Sequence, residues 1–194
     1  LLDGGADNDT LYGGLDNDTL QGGAGNDTLH GNTVSTWNTG TGDDTHIGGT
    51  GNDTSWDGTG NDTYVFNLGD GQDVINDYDL TVGNSDTVRF GAGITADMLT
   101  IVGVSNNLVI QYSPTDQVTI NNWFRIGGSK SYRIENIALA DGTVMSIGDR
   151  EDFVNTVTGT DIANNLSGWG EINGLYGLGG NDTLSGYGGN DLLD

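Results

Sequence analysis

The sequence predicts an all-β chain: a parallel solenoid of short stacked strands and tight turns, interrupted by a small antiparallel β domain. A nine-residue step predicts the solenoid: "GGADNDTLY" (4–12), "GGLDNDTLQ" (13–21) and "GGAGNDTLH" (22–30) keep Gly, Asp and Leu at fixed offsets. Each nonapeptide offers too little apolar surface to fold alone, so the step means stacking. The interruption is marked by a change in residue usage. All five basic residues (Arg89, Arg125, Lys130, Arg133, Arg150), the only proline, Pro114, and both methionines fall between residues 64 and 158. Three blocks result: repeats over 1–73, a β insert over 74–158 and repeats again over 159–194.

In the first block Asp9, Asp18 and Asp27 occupy position six of the repeat, and Leu11, Leu20 and Leu29 occupy position eight. Glycines at positions one, two and sometimes four permit turns with positive φ, and the last three residues make a short strand with its middle side chain inward. Two nonapeptides then complete one flattened coil of eighteen residues, and residues one coil apart lie at the strand spacing of about 4.8 Å. Carboxylates stacked so closely repel unless a cation lies between them.

Further along, Asp27 and Asp44 are 17 residues apart, one short of two repeats, so "GNTVSTWN" (31–38) reads as an eight-residue copy with Trp37 inward. That reading places Asp9, Asp27, Asp44 and Asp62 on one face, and Asp18, a gap near Thr36, Asp53 and Asp73 on the other. The inward positions of this stretch are His46, Ser55 and Tyr64 instead of leucine; alternatively the strands turn their Ile47 and Trp56 face inward. In the last block Asn164, Asn173, Asp182 and Asp191 sit at position six, with Leu166, Leu175, Leu184 and Leu193 at position eight. Asn supplies a neutral oxygen, so metal is expected to concentrate on Asp182 and Asp191.

Charge and composition narrow the ligand. With 28 acidic residues against five basic ones, the formal charge of −23 repels nucleic acid and anionic membranes and suits cations. There is no cysteine, and the two histidines, His30 and His46, are sixteen apart, too few ligands for zinc. A cage of carboxylates and backbone carbonyls selects a hard cation, and flexible turns suit calcium better than octahedral magnesium. An EF-hand needs a twelve-residue loop with a closing Glu, whereas this chain steps by nine and holds three Glu. "GTGNDT" is no phosphate loop, because no Lys follows and its Asp repels phosphate. No apolar run approaches a membrane span.

"GGAGNDTLH", "GGTGNDTSW" and "GLGGNDTLS" resemble the RTX, or haemolysin-type, calcium-binding nonapeptide repeat GGxGxDxUx, with U a large apolar residue. The resemblance implies a right-handed parallel β-roll that binds several Ca2+ ions between neighbouring turns, in bacterial proteins exported by type I secretion to the cell surface or beyond. Its position-six carboxylate is a ligand, so the resemblance carries that role to Asp9, Asp18, Asp27, Asp44, Asp53, Asp62, Asp182 and Asp191. Asp73 joins them by its place on the second face. Asp7 and Asp16 stand where the pattern prefers Gly.

The stretch from "GTGNDTYVFNLGDGQDVINDYD" to "DQVTINNWF" resembles the haemolysin-type calcium-binding-related domain that interrupts such repeats. It reads as strands at 86–90, 99–104, 107–112, 116–121, 132–139 and 143–147, with a hairpin turn at Asp141-Gly142 and one helical turn at 95–100 capped by Thr95. Such a domain would close the open end of the first roll. Asp73, Asp77 and Asp79 are a candidate for one more ion at the junction, with solvated loop acids as the plainer reading.

No enzyme is expected: a nucleophile needs a base held by a third group, and His30 beside a turn and His46 at an inward position read as structural. The function expected is a calcium-binding module of a larger secreted protein that folds on extracellular Ca2+, its partners being calcium, neighbouring repeats of the parent chain and the type I secretion machinery. The alternative is a ligand- or glycan-binding module of a large adhesin, although no cluster of aromatics can be placed on one surface from sequence. Laying "LLD" at 192–194 over "LLD" at 1–3 keeps the nine-residue register, so tandem units are expected in the parent chain.

Overall fold

The computed structural model describes residues 1–32, 41–124, 131–148, 155–158, 160–167, 173–186 and 190–194. Strands dominate. In chain order they are β1 (Leu2–Ala6), β2 (Thr10–Tyr12), β3 (Thr19–Ala24), β4 (Thr28–His30), β5 (Thr45–Thr50), β6 (Thr54–Asp57), β7 (Thr63–Phe66), β8 (Gln72–Asp77), β9 (Thr87–Phe90) and β10 (Thr100–Val104). There follow β11 (Asn107–Gln111), β12 (Gln117–Ile120), β13 (Asn136–Ala138), β14 (Val144–Ser146), β15 (Asn155–Thr158), β16 (Asn165–Ser167), β17 (Asn173–Tyr176), β18 (Thr183–Ser185) and β19 (Leu192–Leu193). Among the described residues helix is confined to a 3-10 turn at Ala96–Met98. Thr95 precedes it, but its hydroxyl bonds Asp97 at 2.7 Å instead of capping the backbone.

Alternate strands of the repeats go to opposite sheets, as an eighteen-residue coil requires. One sheet runs β1-β3-β5-β7-β9-β13-β14, the other β19-β17-β15-β10-β11-β12-β8-β6-β4-β2, and β16 pairs with β18. Register is parallel, with Leu2 on Leu20 and Leu11 on Leu29, one coil apart. The chain is an all-β parallel β-roll. Leu11, Leu20 and Leu29 form a small buried cluster between the sheets, with Leu2 packed against it.

The coil that contains 31–38 departs from the expected stacking. Leu20 pairs with His46 and Leu29 with Ser55, a step of 26 residues instead of 18. "GNTVSTWN" is therefore not a shortened copy that carries the phase forward. The coil holds eight additional residues, and β5 and β6 resume above β3 and β4; Trp37 and Thr36 lie outside the described residues. His46, Ser55 and Tyr64 keep the inward positions, each under 10% exposed, so the face of Ile47 and Trp56 is not the inner one.

The insert prolongs both sheets. β12 pairs parallel with β8, and β13 pairs parallel with β9. Among the described residues antiparallel pairing is confined to β10-β11-β12 and to the β13-β14 hairpin, whose Gly142 has φ +91° and whose Thr143 N–H reaches Asp141 Oδ1 at 2.8 Å. β8 spans residue 73, so the parallel ladder runs through the expected boundary at 73/74. Leucine gives way here to a larger core around Trp123, Tyr64, Tyr112, Phe90, Ile110 and Ile120. Beyond it, β15 pairs with β10 at two positions, Gly103 with Asn155 and Val104 with Thr156, and leads into β17 and β19.

Turn chemistry tolerates few side chains. Gly49 has φ +100°, and a Cβ there would collide with the Gly23 carbonyl of the adjoining coil, whereas Gly5 has φ +99° with open space around it. Gly5→Ala is expected to cost about 1–2 kcal/mol of strain alone, and Gly49→Ala clearly more. Leu20→Ala, at a fully buried position, is expected to cost about 2–5 kcal/mol. Chemical denaturation of the three variants checks the order.

Candidate metal centre

Each turn brings its position-six aspartate against the next coil. In one ladder the Asp9 N–H donates to Asp27 Oδ1 (2.8 Å), the Asp27 N–H to Asp53 Oδ1 (2.7 Å) and the Asp53 N–H to Asp73 Oδ1 (2.9 Å). In the other, Asp18 N–H donates to Asp44 Oδ1 (2.7 Å), Asp44 N–H to Asp62 Oδ1 (2.8 Å), Asp62 N–H to Asp86 Oδ1 (2.8 Å), and Asp86 N–H to Glu135 Oε2 (2.8 Å). The expected partnership of Asp27 with Asp44 is thus corrected: the 26-residue coil puts Asp53 over Asp27 and Asp44 over Asp18. Asp86 and Glu135, which lie outside the repeats, extend the second ladder. The nine-residue step carries no signal for either.

A second ladder accompanies the first at position five and points the other way. Asn26 N–H donates to Asn8 Oδ1 (2.8 Å), Asn52 N–H to Asn26 Oδ1 (2.9 Å) and Gln72 N–H to Asn52 Oδ1 (3.0 Å). Asp43 N–H and Asn61 N–H repeat the pattern on Asn17 and Asp43. Consecutive turns are thereby joined through both residues of each Asn-Asp pair. Asn precedes most of these aspartates, with Asp43 and Gln72 in its place before Asp44 and Asp73, and that recurrence is the sequence signal for it.

The carboxylates split their oxygens between two tasks. Oδ1 of Asp27, Asp53, Asp62 and Asp73 is taken by backbone, but the buried Oδ2 atoms of these four and of Asp9 have no hydrogen-bond partner. Leaving a buried anionic oxygen unpartnered is costly. Position-one glycines lie beside three of those atoms, on Asp9, Asp27 and Asp53: a Cβ on Gly4 would sit 2.7 Å from both Asp9 Oδ2 and the Gly22 carbonyl, one on Gly22 would strike Asp27 Oδ2 and the Gly48 carbonyl, and one on Gly48 would strike Asp53 Oδ2. Carboxylate and carbonyl oxygens converge on a space only glycine leaves open, a donor set that fits a hard divalent cation. In the last block Asn164 N–H donates to Asp182 Oδ1 (2.8 Å), Gly177 lies beside Asp182 Oδ2, and Gly186 beside Asp191 Oδ2. Asp116 is different, since Gly69 N–H and the Ser113 and Thr115 hydroxyls all donate to it. Burial acts upward on its carboxyl, yet these donors bring it below the ordinary range.

Turn geometry survives where glycine is absent. Asp7 (φ 76°) and Asp16 (φ 66°) adopt the left-handed conformation of the glycines they replace, which short polar side chains tolerate. Asp73 and Asp77 lie near opposite ends of β8, so Asp73, Asp77 and Asp79 do not gather on one ion. Asp79 instead accepts the Thr81 N–H at 2.6 Å. His30 stacks between Tyr12 (4.6 Å between ring centroids) and Trp56 (6.3 Å) on the outward side of the roll. These aromatics do share a surface, but their broad faces cover one another. His46 is buried, with Nε2 2.9 Å from Asp57 Oδ2.

Electrostatics follow the stacking. Burial raises the carboxyls of Asp44 and Asp53 to about 6, Asp86 to about 7, Asp73 to about 8 and Asp62 to about 9. Backbone donors oppose the rise and neighbouring carboxylates add to it. Without metal, the turns retain protons that water would remove.

Geometry of this kind defines a class, a parallel β-roll whose turns hold oxygen cages for cations. Comparison with known proteins makes it specific. Residues 2–33 and 172–194 match the RTX calcium-binding nonapeptide repeat (4 copies), and residues 107–149 match the haemolysin-type calcium binding protein related domain. The chain carries RTX calcium-binding repeats on both sides of a haemolysin-type calcium binding protein related domain. It is 41% identical over 96 residues to the iron-regulated protein FrpA of Neisseria meningitidis serogroup C, an overlap of 49% of this chain and 9% of that relative's length. Among the described residues no helix is long and apolar enough to cross a membrane.

Folded carboxyl values above the roughly 3.9 of an unfolded aspartate mean that the folded state holds more protons between the two. The stabilisation is complete below about pH 4 and is lost as pH rises through the 6–9 window of Asp44, Asp53, Asp86, Asp73 and Asp62. The β signal by circular dichroism in chelator should therefore fall from pH 5 to pH 9; a rising signal would contradict the assignment.

Proposed function

We propose that the chain is a calcium-folded module of a larger bacterial protein secreted by the type I route, working outside the cell as a structural element and not as an enzyme. The observation that carries this reading is the column of buried carboxylates with Oδ2 unpartnered beside position-one glycines. Asp9, Asp18, Asp27, Asp44, Asp53, Asp62, Asp73, Asp182 and Asp191 are the ligands of this reading, with the ions between adjacent coils. Residues 1–73 and 159–194 are its two calcium-binding blocks, and 74–158 closes the first.

Extracellular calcium modules have affinities of roughly 10⁻⁴ to 10⁻³ M, so at cytosolic calcium the turns stay empty and carboxylate repulsion keeps the repeats open. Outside, neutralisation of the turns turns binding free energy into folding free energy. Folding on the far side would oppose return through a secretion channel.

Calcium titrated against far-UV circular dichroism tests this, with magnesium as control. A cooperative gain of β signal at millimolar or lower calcium, absent with magnesium, is expected. Asp53→Ala, which removes the carboxylate between Asp27 and Asp73, should raise the calcium midpoint by roughly tenfold. A chain fully folded in chelator at neutral pH would refute the switch.

A further inference from the structure

One turn departs from the cage pattern just described. Position one of the repeat is glycine at Gly13 and Gly31, but the same column continues with Asp57 and then Asp77, as the Gly13 N–H to His30 O and Gly31 N–H to Trp56 O bonds and the pairing of Asp57 with Asp77 show. At Gly13 the cradle is ordinary: a Cβ there would lie 2.5 Å from the Gly31 carbonyl and 3.0 Å from Asp18 Oδ2, one carbonyl and one carboxylate. At Gly31 it would lie 2.6 Å from Asp44 Oδ2 and 2.5 Å from Asp57 Oδ2, two carboxylates. Asp62 joins them, since one carboxylate oxygen from each of Asp44, Asp57 and Asp62 lies within 4.8 Å of the others, all three residues being buried.

Asp57 is held in place to do this. Its Oδ1 accepts from Asn32 Nδ2 and the Gly58 N–H, both at 2.9 Å, while its Oδ2 has no hydrogen-bond partner. The neighbour of that oxygen is His46, 1% exposed, whose Nε2 lies 2.9 Å from it in an ion-pair contact. Across the cluster Asp62 Oδ2 is fully buried and has no hydrogen-bond partner, an anionic oxygen that a cation would satisfy.

We propose that Asp57 is a ligand added to the repeat pattern, which with Asp44 and Asp62 makes a three-carboxylate cation site that fills before the ordinary turns. Ligand charge sets affinity in oxygen cages, and three carboxylates attract a divalent ion more strongly than one carboxylate with carbonyls. His46 lies at the edge of this site and orients Asp57. The inference takes its ion from the calcium reading above, so the experiment separates the two.

Calcium is titrated into the whole chain by competition with a chromophoric chelator, for the wild type, Asp57→Gly and Asp57→Asn. Asp57→Gly restores the residue that the repeat uses at this position, and Asp57→Asn keeps the volume; circular dichroism in saturating calcium verifies folding of each. The wild type is expected to show one ion bound about tenfold or more tightly than the rest, and both variants to lose that tight class while retaining the weaker ones. A wild type that binds calcium in a single class unchanged by either substitution overturns the Asp57 site and leaves the calcium module standing. A wild type that binds no calcium overturns both.

Discussion

Everything in this chain is arranged around the repulsion of aspartates set one strand spacing apart. Each carboxylate spends Oδ1 on the backbone N–H of the adjoining coil, which fixes the height and phase of the stack. On Asp27, Asp53, Asp62 and Asp73 the Oδ2 is then held in the interior without a donor. Glycine at position one follows, because any side chain there would occupy the space those oxygens enclose. Positive-φ turns follow as well, since only they bring a main-chain carbonyl to the same place. A hydrogen-bonded scaffold therefore carries an electrostatic deficit that a hard cation, or at lower pH a proton, removes.

The same constraint explains how the roll ends. The second carboxylate ladder passes from Asp62 to Asp86 and finishes on Glu135, whose Oε2 takes the last backbone donor. Alongside it the interior changes from leucine to Tyr64, Phe90, Tyr112 and Trp123. Arg133, buried and 5.7 Å above the Trp123 ring, hydrogen-bonds the Gly148 carbonyl at 3.1 Å. The interior passes from carboxylate ladders over a small leucine cluster to larger aromatic packing within a few strands, and His46, Ser55 and Tyr64 mark the transition. Strand pairing does not break there, because β12 and β13 continue both sheets in parallel.

Much of this was legible in residue order. The nine-residue step gives strand length, inward leucines, turn glycines and the position-six carboxylates without reference to coordinates, and alternation with turn signals places most strands of the insert to within two residues. Stacking partners were not legible. Phase counting assumes that every residue belongs to the repeat, and eight extra residues after Gly31 defeat it by moving Asp53, not Asp44, onto Asp27. Hydrogen bonds across one coil decide such a question, and they leave no mark on spacing. The ends of the ladder on Asp86 and Glu135 were hidden for a related reason: a lone acid in irregular sequence has no period to give it away. The Asn ladder was visible as recurrence but silent as to role, since Asn before Asp is also what a tight turn prefers.

The seam between β10 and β15 has a mechanical meaning. Stacked strands carry axial tension in series, so each interface bears the full load on its own hydrogen bonds. Among the described residues most junctions along the ten-stranded sheet pair three to five positions, as β15 with β17 pairs four, whereas β10 with β15 and β17 with β19 pair two each. Pulling on the two ends of this sheet would open one of these two short joints early. Either opening would release strands of the last block while the insert and the first roll stayed assembled, so the sheet yields from its final repeats inward.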